Sequence, residues 1–152
     1  MAQQQRFETG DTLLQNWQSL AMVFPDQIDS FVGEKPTGTQ ISFGNNQFAT
    51  AKRLYRQGAS SFQLQISDYA RDSAALTFLF ESQSPWIQTD TVTRFPLLLH
   101  QDQMGNMSET HILSHVRYHL DLSLPTASDF PSTADVLQSL NWDILDTKRD
   151  TR

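Results

Sequence analysis

The stretch Thr110–Pro125, THILSHVRYHLDLSLP, decides the fold because its residues fit two different periodicities. Read as a helix, it places His111, His115 and His119 at i, i+4 and i+8 on one face, where two imidazoles can share a metal ion. Read as a strand, it alternates apolar and polar residues, and the three histidines fall on the polar face of a sheet. The two interpretations imply different functions.

The strand interpretation explains more of this stretch than the helix does. Every second position from 112 to 124 is apolar, with Ser114 as the one exception. Successive histidines would then be about 13 Å apart along the strand, too far for two nitrogens to bind one metal ion at about 2 Å. We therefore expect one half-buried strand over the whole stretch, with separated histidines and no metal site within it.

The preceding segment, Thr89–Gln101, has the alternation of a second strand. Antiparallel pairing across the loop between the two segments makes their apolar faces coincide, whereas a shift by one residue would oppose them. The register that achieves this pairs Leu99 with Ile112, Phe95 with Val116, and Thr93 with Tyr118.

The same register places His100 opposite His111, with Cβ atoms about 5 Å apart. Such a pair could bind a metal ion or share a proton, with Glu109 or Asp102 as a third group. The alternative is that both are exposed residues of a polar sheet face. The sequence therefore leaves one testable contact, between His100 and His111.

Elsewhere the pattern predicts a helix at 11–24, a hairpin formed by 47–56 and 60–68, a helix at 72–81, and a last helix that Ser132 caps. Strand–helix–strand alternation is absent, so a parallel sheet is not expected. We predict an α+β fold, with an antiparallel sheet of about five to six strands and three helices packed mainly on one face. The chain is expected to be a single domain, with a core at about 11–146 and flexible tails at 1–10 and 147–152.

Composition excludes several classes of function. The chain has 152 residues and a net charge of -6, which argues against a nucleic-acid or anionic-membrane surface. The absence of cysteine removes disulfides, thiolate zinc sites and thiol nucleophiles. No apolar run approaches the roughly 18 residues of a membrane span, and no nucleotide-binding glycine motif occurs. We predict no nucleic-acid partner, no membrane span and no cofactor.

Two further groups of polar residues are candidates for binding. His115, Arg117, His119 and Asp121 would form a polar stripe suited to an anion or a protein partner, although a solvated sheet face has the same pattern. Asp68 and Tyr69 stand where a strand is expected to end and a helix to begin, so Asp68 could bind a cation or cap the helix. The residues that the sequence proposes for binding are His100, His111, His115, Arg117, His119, Asp68 and Tyr69.

Three short motifs follow one another in the middle of the chain. They are Phe24-Pro25 with Ile28-Asp29-Ser30-Phe31, Ala51-x-Arg53-x-Tyr55-x-x-Gly58, and Leu64-x-Ile66-x-Asp68-Tyr69-Ala70. Together they resemble small exported or lipid-anchored bacterial α+β proteins of unknown function, and the chain departs from that pattern in having no lipobox cysteine and no signal sequence. The resemblance implies an envelope or extracellular setting and carries over no catalytic residue.

These observations predict a non-enzymatic domain that binds a protein partner or a small ligand. A periplasmic or extracellular location fits the resemblance and the low share of charged residues, 18%, and a cytoplasmic location is the alternative. Two other functions stay open. One is a metal- or proton-dependent enzyme that uses His100, His111 and Asp68, and the other is a structural subunit of a larger assembly.

Overall fold

The computed structural model describes residues 16–43, 46–71, 77–78, 80–81, 85–89, 92–93, 96–115 and 117–145. Within these residues, two α-helices and nine strands have defined bounds. They are, in chain order, α1 (Trp17–Ala21), β1 (Gln27–Ile28), β2 (Phe31–Gly33), β3 (Thr37–Phe43), β4 (Asn46–Gln57), β5 (Ser60–Arg71), β6 (Ile87–Thr89), β7 (Leu97–Met104), β8 (Met107–Ser114), β9 (Tyr118–Pro125) and α2 (Thr133–Ser139). A 3-10 helix, Trp142–Leu145, follows α2.

All nine strands belong to one antiparallel sheet. Its order is β1-β2-β4-β5-β9-β8-β7-β6, and β3 pairs with β4 next to β2. The predicted α+β fold, with about five to six strands and three helices, is therefore wrong, because the sheet makes up most of the described structure. The pattern predicts one short strand at 27–32, where the structure has two, β1 and β2, and the three residues of β6 are too few for an alternating pattern to reveal them.

The stretch that decides the fold is two strands and not one. β8 ends at Ser114 and β9 begins at Tyr118, and between them the Arg117 amide donates a hydrogen bond of 3.0 Å to the Ser114 carbonyl. His115 adopts a positive φ of 60°, a conformation that usually favours glycine or asparagine. A hairpin of this length leaves Ser114 and Tyr118 on the same face of the sheet. The alternation of apolar and polar residues therefore continues across the turn, and the sequence pattern gives no sign of it. The expectation of one continuous strand is wrong for that reason.

The predicted register between the second strand and the first part of this stretch is confirmed where the structure describes it. Leu99 pairs with Ile112 and His100 with His111, on β7 and β8. The predicted partner of Thr93 is wrong, since Tyr118 belongs to β9 and pairs with Ser114 and Asp68. The pair of residues 95 and 116 lies outside the described residues.

One face of the sheet forms the hydrophobic core. Side chains from α1, from α2 and from the 3-10 helix join it in a single cluster of buried residues. Burying one such side chain stabilises the fold by about 1.5–3 kcal/mol. Its fully buried members include Leu20, Tyr55, Leu64, Ile66, Leu122 and Val136.

The helices begin where capping side chains satisfy their first amides. Asn16 accepts a hydrogen bond of 2.8 Å from the Ser19 amide at the start of α1. Ser132 accepts one of 3.1 Å from the Asp135 amide at the start of α2, as the sequence predicts. Of the middle helix expected at 72–81, residues 77–78 and 80–81 are helical and the rest lies outside the described residues, as do the expected tails.

Candidate metal centre

Polar side chains of three neighbouring strands converge on the face of the sheet opposite the core. The registers of β7 with β8 and of β8 with β9 place His100, His111 and Asp121 in one row across the strands. His119 lies one pair away on β9, opposite Leu113 of β8. Because residues in such a row are about 5 Å apart at Cβ, their side chains can interact directly.

The hairpin turn brings two histidines into contact. The Nδ1 atom of His111 lies 2.9 Å from the Nε2 atom of His119, so one imidazole donates a hydrogen bond to the other. Both residues are buried, and their rings are nearly parallel. The inference that these histidines are too far apart to share a metal ion is therefore wrong. It assumed an extended chain between them, whereas the chain reverses direction so that Ser114 pairs with Tyr118.

Two carboxylates flank His111. The Oε1 atom of Glu109 lies 3.8 Å from His111 Nε2, and the Oδ1 atom of Asp121 lies 3.9 Å from His111 Nδ1. One ligand atom from each of these three residues lies within 4.8 Å of the others. Asp121 Oδ1 is buried and has no hydrogen-bond partner, the only buried side-chain atom of this kind among the residues that the structure describes. We call Glu109, His111, His119 and Asp121 the histidine–carboxylate cluster.

Burial changes the acid–base behaviour of this cluster. Burial and, to a smaller extent, the charge of the neighbouring His111 together lower the pKa of His119 to about 4. Burial also raises the pKa of Asp121, an effect that His111 opposes and Glu109 reinforces. His119 is therefore neutral at pH 7, which is the form of imidazole that binds a metal ion.

The distances within the cluster are suited to a bound cation. A gap of 3.8 or 3.9 Å is too long for a hydrogen bond, which needs about 2.7–3.2 Å. Two ligand atoms that each lie about 2.1 Å from one metal ion are roughly 3.4–4.2 Å apart. The gap to Glu109 begins at His111 Nε2 and the gap to Asp121 begins at His111 Nδ1, so a single ion bound by His111 would use only one of these two nitrogens.

His100 borders this cluster on the side of β7. Its ring centroid is 6.2 Å from that of His111, and its Nδ1 atom lies 3.0 Å from the carbonyl oxygen of Pro85. The ring of Trp86 packs against it at 5.7 Å and in turn stacks on Phe80. The contact predicted between His100 and His111 is thus present, and an aromatic segment holds His100 in place.

The structure places the other predicted site residues away from the cluster. Asp68 is fully buried and forms two hydrogen bonds with Arg117, Nε to Oδ1 at 2.8 Å and Nη2 to Oδ2 at 3.0 Å. His115 lies in the turn, where its Nδ1 atom is 2.7 Å from Ser114 Oγ. The predicted polar stripe of His115, Arg117 and His119 is therefore not formed.

The region around Asp68 also differs from the expectation. β5 continues to Arg71, so Asp68 lies within a strand and caps no helix. The ring of Tyr69 stacks on Phe48, and its amide donates to the Arg117 carbonyl at 2.9 Å. Neither residue contributes to the cluster, and the buried pair of Asp68 and Arg117 joins β5 to the turn before β9.

Sequence reasoning named Glu109 as a third ligand and Asp121 only as part of the stripe. The sequence did not predict that Asp121 and His119 lie next to His111, because the turn between β8 and β9 brings them there. The one available signal was the polar pair Ser114 and His115 in an otherwise alternating stretch, and no Gly or Pro marks the turn there.

Comparison with family models, with curated proteins and with solved structures found no match for this chain. The resemblance to small exported or lipid-anchored bacterial proteins thus stays a prediction. Among the described residues, no helix is both long and apolar enough to cross a membrane.

Proposed function

We propose that this protein binds a divalent metal ion at the histidine–carboxylate cluster. The observation that carries this proposal is the buried Oδ1 atom of Asp121, which has no hydrogen-bond partner and lies 3.9 Å from His111 Nδ1. A buried carboxylate oxygen without a donor is costly, and a cation between it and the imidazole would compensate that cost.

The surroundings of the cluster favour a metal ion as that cation. No lysine or arginine of the described residues forms an ion pair with Glu109 or Asp121. His119 stays neutral at pH 7, so it offers a lone pair and not a positive charge. The imidazole of His111 and the carboxylates of Glu109 and Asp121 offer one ligand atom each within 4.8 Å of one another, and such nitrogen and oxygen donors occur in many protein metal sites.

Under this proposal, the small ligand that the sequence predicts is a metal ion. The proposal assigns no reaction to the protein. Binding of a protein partner and membership in a larger assembly stay as further proposals, as does a periplasmic or extracellular location. The enzyme hypothesis that combined His100, His111 and Asp68 is not proposed, because Asp68 lies on the core side of the sheet and pairs with Arg117.

Isothermal titration calorimetry with Zn²⁺, together with metal analysis after dialysis, tests the proposal. We expect one ion per chain, and a loss of affinity of about 10- to 100-fold or more in Asp121→Asn and in His111→Asn. Asp129→Asn is the matched control, since Asp129 is an exposed carboxylate outside the cluster. A wild-type protein that retains no metal and gives no binding heat would refute the proposal.

A further inference from the structure

We infer that His119 is a positioning residue for the ion, which His111 binds through Nε2 while its Nδ1 atom donates a hydrogen bond to His119. This inference rests on the proposed function and names the nitrogen of the imidazole ligand that faces the ion. It gives the contact between the two imidazoles a role in metal binding and keeps His119 itself out of the ligand set.

The two ring nitrogens of His111 have different surroundings. Nδ1 lies 2.9 Å from Nε2 of His119, a hydrogen-bond distance between two buried side chains. Nε2 lies 3.8 Å from Oε1 of Glu109, and no residue that the structure describes hydrogen-bonds to this nitrogen. A ring nitrogen carries either one proton or one lone pair, so the partner at Nδ1 leaves no place there for an ion. The free position is Nε2.

The direction of the hydrogen bond decides whether this position can bind an ion. Each neutral imidazole has one N–H group and one lone pair. If His119 donated, His111 would carry its own proton on Nε2 and could not bind there. If His111 donates from Nδ1, its lone pair is on Nε2 and faces Glu109. Metal-binding histidines usually donate their other nitrogen to a fixed acceptor, which holds the tautomer and orientation of the ring.

The side of His111 that faces Glu109 is also the side that solvent reaches. The side chain of Glu109 is 38% exposed, whereas that of His111 is 9% exposed. Asp121 has an oxygen atom within 4.8 Å of one on Glu109, so an ion next to Glu109 remains within reach of both carboxylates. An ion can therefore approach His111 Nε2 from solvent past Glu109.

The sheet fixes His119 as the acceptor. The register of β8 with β9 places His119 opposite Leu113, one pair away from His111 and Asp121, and the two imidazole rings are nearly parallel. Because both rings are buried, loss of the acceptor would leave the Nδ1–H group of His111 without a partner. The ring would then favour the other tautomer or a different orientation, and either change removes the lone pair that faces the ion.

Zn²⁺ titrations of His119→Leu and His119→Gln, followed by calorimetry and checked by circular dichroism, test this role. Both variants remove the imidazole, but the Oε1 atom of Gln can still accept from Nδ1–H. We expect His119→Leu to bind Zn²⁺ about 10-fold or more weakly and His119→Gln to stay within about threefold of the wild type. The control is His115→Asn, which should bind as the wild type does, since Asn tolerates the positive φ at that position.

A long-range ¹H–¹⁵N correlation spectrum of the wild-type protein with Zn²⁺ needs no variant. We expect the ion to shift the Nε2 resonance of His111, with a proton on Nδ1, and to leave both nitrogens of His119 unligated. A ligated Nδ1 on His111, or a ligated His119, would show that the inference is wrong while the proposed function stands. The same holds if His119→Leu binds as the wild type does, or if His119→Gln loses as much affinity as His119→Leu. If the wild type binds no ion, both proposals fail.

Discussion

The imidazoles of His111 and His119 lie on adjacent strands with their planes inclined by only 8° and their ring centroids 5.1 Å apart. They share one hydrogen bond of 2.9 Å, and both are almost completely buried. Such a pair tolerates protonation poorly, because a proton on the second ring would add a charge in a place that water does not reach. The free energy of unfolding should therefore depend on pH in the range where histidine takes up a proton.

We predict that the free energy of unfolding falls as the pH is lowered from 6.5 to 4. The pKa of His119 is about 4 in the folded protein against 6.5 for an ordinary histidine, so between these values the unfolded chain binds more protons than the folded one. The loss can reach about 3 kcal/mol, at about 1.36 kcal/mol for each pH unit. Urea denaturation at several pH values measures it.

The variant His119→Gln isolates this contribution. It should flatten the dependence of stability on pH between 6.5 and 4, while His115→Asn, which changes the histidine in the turn, should keep the wild-type slope. Equal slopes for the wild type and His119→Gln would show that His119 is not the group that resists protonation.

Asp121→Asn should have opposite effects on stability and on metal binding. Without metal, removal of a poorly solvated charge near Glu109 should raise the free energy of unfolding at pH 7 by up to about 1 kcal/mol, a figure kept small because 34% of the side chain is exposed and water screens it. The same substitution removes a ligand. Thermal unfolding with and without Zn²⁺ should show a higher melting temperature for the metal-free variant and a smaller increase on adding the ion.

Asp68→Asn should destabilise the protein strongly. Asp68 is fully buried, and the substitution would leave the guanidinium of Arg117, itself only 17% exposed, without its carboxylate. Losing one partner of such a pair costs about 3–5 kcal/mol. In the exposed pair of Glu34 and Arg56, the matched change Glu34→Gln should cost less than about 1 kcal/mol. Similar losses for the two variants in urea denaturation would contradict a structural role for the buried pair.

Gly38→Ala should disturb the packing of α1 on the sheet. A Cβ atom at Gly38 would overlap the indole ring of Trp17, and the overlap involves the base of that ring, which cannot move away without shifting the helix. We expect a loss of about 1–3 kcal/mol and a change in tryptophan fluorescence. Thr39→Ala, at the next and exposed position of β3, should change stability by less than about 0.5 kcal/mol.

The sequence predicted those features that depend on alternation within a strand. It placed His100 opposite His111 and identified the hairpin of β4 and β5, because a wrong register would expose the apolar faces of these strands. It failed at the turn near His115, where a non-glycine residue adopts a positive φ. No Gly or Pro in the sequence marks this reversal of the chain. That single error concealed most of the site, since Asp121 and His119 reach His111 only through the turn.

The two strands that supply the proposed ligands, β8 and β9, follow one another in the chain and are joined by a short turn at His115. Contacts within such a hairpin join residues that are close in the sequence, so little chain entropy is lost in forming them. Isolated hairpins form within about 1–10 μs. The hydrophobic core, by contrast, requires β5 to pair with β9, and these strands are much farther apart in the sequence. The proposed ligand set can therefore assemble before the rest of the fold, and an ion captured at that stage would act as a nucleus for folding.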